Sequence, residues 1–208
     1  MGQNAATFFN CTNIIKAIIP NGVTSIGNGA FNGCTSLTSV TIPDSVTTIN
    51  QASFLGCSSL TSIIIPNSVT SIGDGAFYQC TGLTSVTIGD SVTTIGYGAF
   101  RNCSGLTSVT IPNSVITIGE SVFNNCQNLT RVTIGNGVTT IDTAAFYECS
   151  NLISVTIKSV TPPSQVGNSA FLLNASGRKI YVPSESVNAY KAASGWSYYA
   201  ADIEAIPQ

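Results

Sequence analysis

Cysteine recurs every 23 residues, at Cys11, Cys34, Cys57, Cys80, Cys103, Cys126 and Cys149, and these are all seven cysteines of the chain. Phenylalanine keeps the same interval three residues earlier, at Phe8, Phe31, Phe54, Phe77, Phe100, Phe123 and Phe146. A strict period of this length leaves few options for the fold. One such unit is too small to enclose a core, so units must stack and bury their apolar positions against each other. The expectation is a solenoid in which like residues lie above like residues, about 4.8 Å apart along the stack.

The unit is best read with the cysteine as position zero. Position 3 is apolar in every copy: Ile14, Leu37, Leu60, Leu83, Leu106, Leu129 and Leu152. Position 6 is Ala17 or a β-branched residue, and position 8 is isoleucine throughout, from Ile19 to Ile157. This short alternation of apolar and polar residues predicts a strand with one buried face. Pro or Gly follows at position 9 (Pro20, Pro43, Pro66, Gly89, Pro112, Gly135) and ends the strand, with Asn or Asp next as a turn residue. A second apolar pair, Val23 and Ile26 in the first copy, precedes a small residue and the Phe. The small residue leaves room for the ring inside a narrow coil.

The pattern C-x-x-L-x-x-V-x-I-P-x-x-V-x-x-I-G-x-x-A-F-x-x resembles the BspA-like leucine-rich repeat family, from Phe8 to about Ile206. The resemblance implies an α/β-type repeat fold: a right-handed leucine-rich-repeat solenoid with a parallel concave sheet, short convex strands or turns, and a small helical C-terminal cap. It also implies a surface or secreted protein of the adhesin type, binding host or microbial protein or glycan.

The register divides the chain as one leucine-rich repeat domain, 1–208, with a partial repeat over 1–10, seven repeats over 11–173, and an eighth strand with the cap over 174–208. In the partial repeat, Ala6 and Phe8 fall in the small-residue and Phe columns. Ile15 and Ile18 make the first coil unusually apolar, which reads as an end covered by upstream residues or by another chain, self-association included, or as a frayed end that the fold tolerates. The seventh repeat carries two extra residues, with Pro162 and Pro163 in a rigid loop, before Phe171 recovers the register and Asn174 replaces cysteine. After Pro183 the period stops. Ser184 is expected to cap a helix whose Val187, Tyr190 and Ala193 share a face, with Gly195 just past its end. Trp196 and Tyr199 are expected to cover the last coil.

The strand's outward positions are 5 and 7. They read Lys16/Ile18, Ser39/Thr41, Ser62/Ile64, Ser85/Thr87, Ser108/Thr110, Arg131/Thr133 and Ser154/Thr156. This face is where solenoids bind. Small hydroxyls are also ordinary solvated strand residues, so the face reads either as a contact surface or as unselected. Arg131 and Ile64 break the lattice and are the strongest contact candidates.

Composition narrows the chemistry. Charged residues make up 8%, the net charge is −2, and the basic side chains are scattered, so no nucleic-acid footprint exists. No apolar run approaches the ~20 residues of a membrane helix. With no histidine there is no imidazole base, and no recurring carboxylate pair suits acid–base work. The expectation is a non-enzymatic protein without cofactor or metal. In-register cysteines point the same way, which does not suit disulfides, and predicts a column of buried free thiols. Asn10, Asn102, Asn128 and Asn174 each open an Asn-x-Ser/Thr sequence, which a repeat rich in these residues generates by composition. No signal peptide is visible at the start of the chain. In a family that is usually exported, that points to a chain trimmed at its start, with cytoplasmic residence as the other option. Two further functions fit the pattern: a stiff spacer presenting another domain, and binding of ice or another crystal surface by Ser/Thr ladders.

Overall fold

The β-branched run of each unit forms a short strand, and the strands stack in parallel without slipping register. The computed structural model describes residues 8–208; Ala6 and most of the partial repeat lie outside them. The first strand column comprises Lys16–Ile18, Ser39–Thr41, Ser62–Ile64, Ser85–Thr87, Ser108–Ile111, Arg131–Ile134, Ser154–Ile157 and Lys179–Val182. Each paired rung sits opposite its counterpart one repeat away, as in Val132 with Val109 and Val155. The column has two loose joints, after Ser39–Thr41 and after Ser85–Thr87. There the flanking backbone bonds, Thr61 N to Thr38 O and Thr107 N to Thr84 O, lengthen to 3.4 and 3.5 Å.

The second apolar pair of each unit builds an unbroken seven-stranded parallel sheet, from Ser25–Ile26 to Gln165–Val166. The strands are two residues long, and in each the outer residue is polar and the inner one a buried Ile or Val. The extra residues of the seventh repeat are absorbed before this sheet, because Thr140 and Ile141 pair directly with Gln165 and Val166.

Phenylalanine and cysteine form the third side. Neighbouring Phe rings from Phe8 to Phe171 stack with centroids 5.1 to 5.3 Å apart, and from Phe31 onward their planes lie within 7° of parallel. Cys34 N donates to Phe31 O at 3.1 Å, closing a four-residue turn whose third residue, Gly33, has φ +76°. Later turns put Gln79, Asn102, Asn125, Glu148 and Leu173 in the same left-handed conformation, which glycine adopts freely, asparagine tolerates and the other side chains adopt with strain. The carbonyl of that Phe has a second lone pair. The thiol of the next coil uses it: Cys57 Sγ donates to Phe31 O at 3.1 Å, and the pattern repeats up to Cys149 and Phe123. All seven cysteines are free, and six are buried; Cys11 is half-buried. Where the column ends, Asn174 Nδ2 takes over the thiol's task and donates to Phe146 O at 2.8 Å.

The C-terminal cap differs from its sequence expectation. Ser184 opens a 3-10 turn, Ser184–Ser186, with no side-chain cap, and the α-helix is only Val187–Ala192. Gly195, at φ +77°, starts a second 3-10 segment, Trp196–Asp202, rather than closing the helix. The reason is tertiary. Three cap side chains reach the inserted loop of repeat seven: Ser186 Oγ donates to Val160 O at 2.7 Å, Tyr190 OH to Ser159 O at 2.9 Å, and Trp196 Nε1 to Pro163 O at 3.0 Å. Trp196 and Tyr199 do cover the last Phe ring, at 6.3 and 5.4 Å. Arg178 packs over Phe171 and Tyr199 and pairs with Asp202. A last strand, Ile203–Ala205, adds to Lys179–Val182 and extends the first column.

Candidate binding face

Alternation along each strand of the first column sends positions 6 and 8 inward and positions 5 and 7 outward. Val109 and Ile111 are accordingly buried, while Ser108 and Thr110 between and beside them are exposed. Lys16, Ile18, Thr41, Ser62, Ile64, Ser85, Thr87 and Arg131 are exposed as well. Ser39, Thr133, Ser154 and Thr156 are half-buried, the last three against the strands that approach the cap. All the predicted outward positions therefore share one surface, as two ranks running along the stack.

The surface is not uniform. Ile18 and Ile64 are each 69% exposed, so each places an apolar side chain in water within the same rank. Arg131 stands in the other rank, between Ser108 and Ser154. Arg131 and Ile64 are three coils apart, about 15 Å at the spacing of stacked strands. They do not form one spot. A shallow dimple at the loose joint, lined by Ser85, Thr87, Ser108, Thr110 and Asp90, lies between them.

Three further residues belong to this face and were not among those expected. Lys179 and Tyr181 continue the ranks beyond Ser154 and Thr156, and Glu204 lies beside Tyr181. Lys179 pairs with Glu204, and that hydrogen bond raises the lysine's pKa. The signal was available, because Ile180 and Val182 occupy positions 6 and 8 of an eighth coil, which puts Lys179 and Tyr181 outward. The charged end of the face thus comprises Arg131, Lys179 and Glu204, and the opposite end carries Lys16, Ile18 and Ile64.

The thiols offer little chemistry. Burial pushes Cys57 and Cys149 up to about 12, and raises Cys34, Cys80, Cys103 and Cys126. A neutral buried thiol is a poor nucleophile and a poor metal ligand. Among the described residues, no three His, Cys, Asp or Glu side chains gather as a metal site, and no helix is long and apolar enough to cross a membrane.

The geometry agrees with what the chain is similar to. The family description "BspA type Leucine rich repeat region" matches residues 4–104 and 74–194, in six copies. Among solved structures, a leucine rich repeat protein of T. pallidum is 32% identical with a TM-score of 0.70, over 76% of each chain. A leucine-rich repeat protein of Eubacterium ventriosum is 28% identical with a TM-score of 0.69, over 79% of this chain and 44% of that one. One from Bacteroides ovatus is 28% identical with a TM-score of 0.54, over 85% and 57% respectively. The chain thus spans about three quarters of the first protein and about half of the other two. No curated protein matches it.

Proposed function

The chain belongs to the BspA-type leucine-rich repeat family, and from that premise we propose that it is a non-enzymatic interaction module of a surface or secreted adhesin-type protein. Its partner is a host or microbial protein or glycan. The observation that carries this reading is the strand face itself: fourteen expected outward positions share one surface of stacked strands, with Ile18, Ile64 and Arg131 projecting from a field of small hydroxyls. Rigid sheets present side chains without an ordering cost at binding. Exposed branched apolar groups and an arginine provide the contact and the charge. The surface or secreted location rests on family membership alone.

The test uses fluorescently labelled chain on fixed epithelial cells and on bacterial cells. Saturable binding that falls about tenfold in the double variant Arg131→Ala/Ile64→Ala is the expected result. Binding that the double variant leaves unchanged moves the reading to a second class, a stiff spacer that presents another domain. The near-uniform Ser and Thr of the middle coils favour that alternative. Self-association through the first coil is part of the same proposal, because Ile15 and Ile18 are 64% and 69% exposed. Light scattering on the chain and on Ile15→Ser/Ile18→Ser reads it directly: a dimer that becomes a monomer is the expected result.

A further inference from the structure

A cleft lies on the Phe side of the solenoid, away from the strand face. Two columns flank the left-handed turn residues there. The column six residues before each cysteine reads Gln51, Asp74, Tyr97, and the column two residues before reads Leu55, Tyr78, Arg101. Between them run Ala52, Gly75 and Gly98, all at φ between +53 and +58°. The two glycines leave the floor bare, so these six side chains wall a cleft of about 310 Å³. That volume is at the low end for small-ligand sites. The wall residues belong to three successive coils whose Phe rings are 5.1 Å apart.

The lining is unusual for this chain. Elsewhere its surface is mainly Ser, Thr and Asn. Here it combines two tyrosines, a leucine, one guanidinium, one carboxylate and one amide. Tyr97 is 49% exposed. Its hydroxyl accepts from Arg101 Nη1 at 3.3 Å, and the arginine lies 6.0 Å from the Tyr78 ring centroid. That is the guanidinium's one hydrogen bond among the described residues, out of the five it can donate. Asp74 Oδ1 is held by Tyr97 N at 2.8 Å, which orients the carboxylate and leaves its other oxygen to accept. A held carboxylate and a guanidinium with free donors therefore lie beside tyrosine and leucine side chains.

We propose that this cleft binds a neutral saccharide of one or two pyranose units. A sugar ring has an apolar face of C–H groups, which fits a tyrosine ring or Leu55, and a rim of hydroxyls that both donate and accept. Asp74 and Gln51 accept from such hydroxyls, and Arg101 and Gln51 donate to them. The wall carries one negative and one positive group, so a phosphate or sulfate gains from Arg101 what it loses to Asp74. The site is independent of the strand face, and either can fail without the other.

The test is a titration of the full chain, isotopically labelled for amide spectra, with methyl glycosides of glucose, galactose, mannose and N-acetylglucosamine. The expected result is saturable shifts of the Gly75, Gly98 and Arg101 amides with at least one glycoside, in the millimolar range typical of a small polar ligand. Tyr97→Ala should weaken that binding about tenfold or more, and so should Asp74→Asn, which keeps the shape and the bond from Tyr97 N. Both positions are exposed, so the amide spectra of the variants report that the fold is intact. The proposal is overturned by no saturable shift with any of the four, by shifts that survive in both variants, or by inorganic phosphate giving tighter binding at Arg101 than any sugar.

Discussion

The two ends of the stack bury the same columns to different depths. At the C-terminal end, Phe171, Ile180 and Val182 are within 1% of full burial beneath Trp196, Tyr190, Tyr199 and Ile203. At the first coil, Ile14, Ala17, Ile19 and Val23 are only half-buried and line an open apolar hollow of about 540 Å³. One repeat further on, Leu37 and Val46 are fully buried. The residue types are nearly the same, so the difference is the neighbour. In a solenoid each coil supplies half of the next coil's core, and position in the stack decides what a side chain contributes.

The largest expected effect is at the closed end. Trp196→Ala removes a fully buried indole and its bond to Pro163 O, and should cost about 3–5 kcal/mol in urea unfolding. Leu106→Ala in the middle of the stack should cost a similar amount. The matching change at the first coil, Ile14→Ala, should cost about 1 kcal/mol, because only part of that side chain leaves water. Equal costs for Leu106→Ala and Ile14→Ala would mean that position in the stack does not set what a side chain contributes.

The thiol column sharpens it. In the native protein Cys11 should react with a thiol reagent well before the six buried cysteines, which should react only on unfolding. The pH dependence has a definite sign. The unfolded thiols ionise near 9.0, while burial holds Cys57 and Cys149 neutral up to about 12 and raises four others. Well below pH 9 both states keep their protons and the thiols leave stability flat. As pH rises through this window the unfolded chain releases protons that the folded chain retains. Each such thiol then lowers stability by about 1.4 kcal/mol per pH unit until its folded pKa is reached. An unfolding midpoint that stays constant from pH 9 to 11 would contradict the buried column.

Smaller effects come from the turns. Asn174→Ala should cost about 1–2 kcal/mol by leaving Phe146 O without its donor, and Asn174→Cys should restore part of it. Glu148→Gly should stabilise by about 0.5–1 kcal/mol, because Glu148 holds φ +59° where its glycine counterparts Gly33 and Gly56 are at ease.

These sites also show what was legible in the sequence. A period of 23 residues marks the solenoid, the first strand column, and the Phe and Cys columns, because every coil repeats the same burial demands; it shows the second apolar pair without making it a strand. The same count places the outward ranks from Lys16/Ile18 to Ser154/Thr156. With the spacing of stacked strands it also puts Arg131 and Ile64 three coils apart, too far to form one spot. Ser184 and Gly195 are where the sequence misleads. Local capping rules predict one helix, whereas Ser186, Tyr190 and Trp196 are held by carbonyls of an insertion some 26 to 33 residues earlier. The insertion reads as an irregularity in sequence and is the docking site of the cap in space. The cleft of Tyr78, Tyr97 and Arg101 leaves no mark in the repeat pattern because its walls come from columns that carry no apolar signature.

Residue-resolved native hydrogen exchange tests the unequal ends most directly. Ile19 N bonds to Thr41 O at 3.0 Å in the first coil, Ile65 N to Thr87 O at 2.9 Å in the third, and Trp196 N to Ala193 O at 3.1 Å in the cap. The structure predicts that the Ile19 amide and its coil exchange fastest, through opening of that end alone, while the third coil and the cap exchange slowly and together. A cap that exchanges faster than the first coil, or one protection level throughout, would contradict the account.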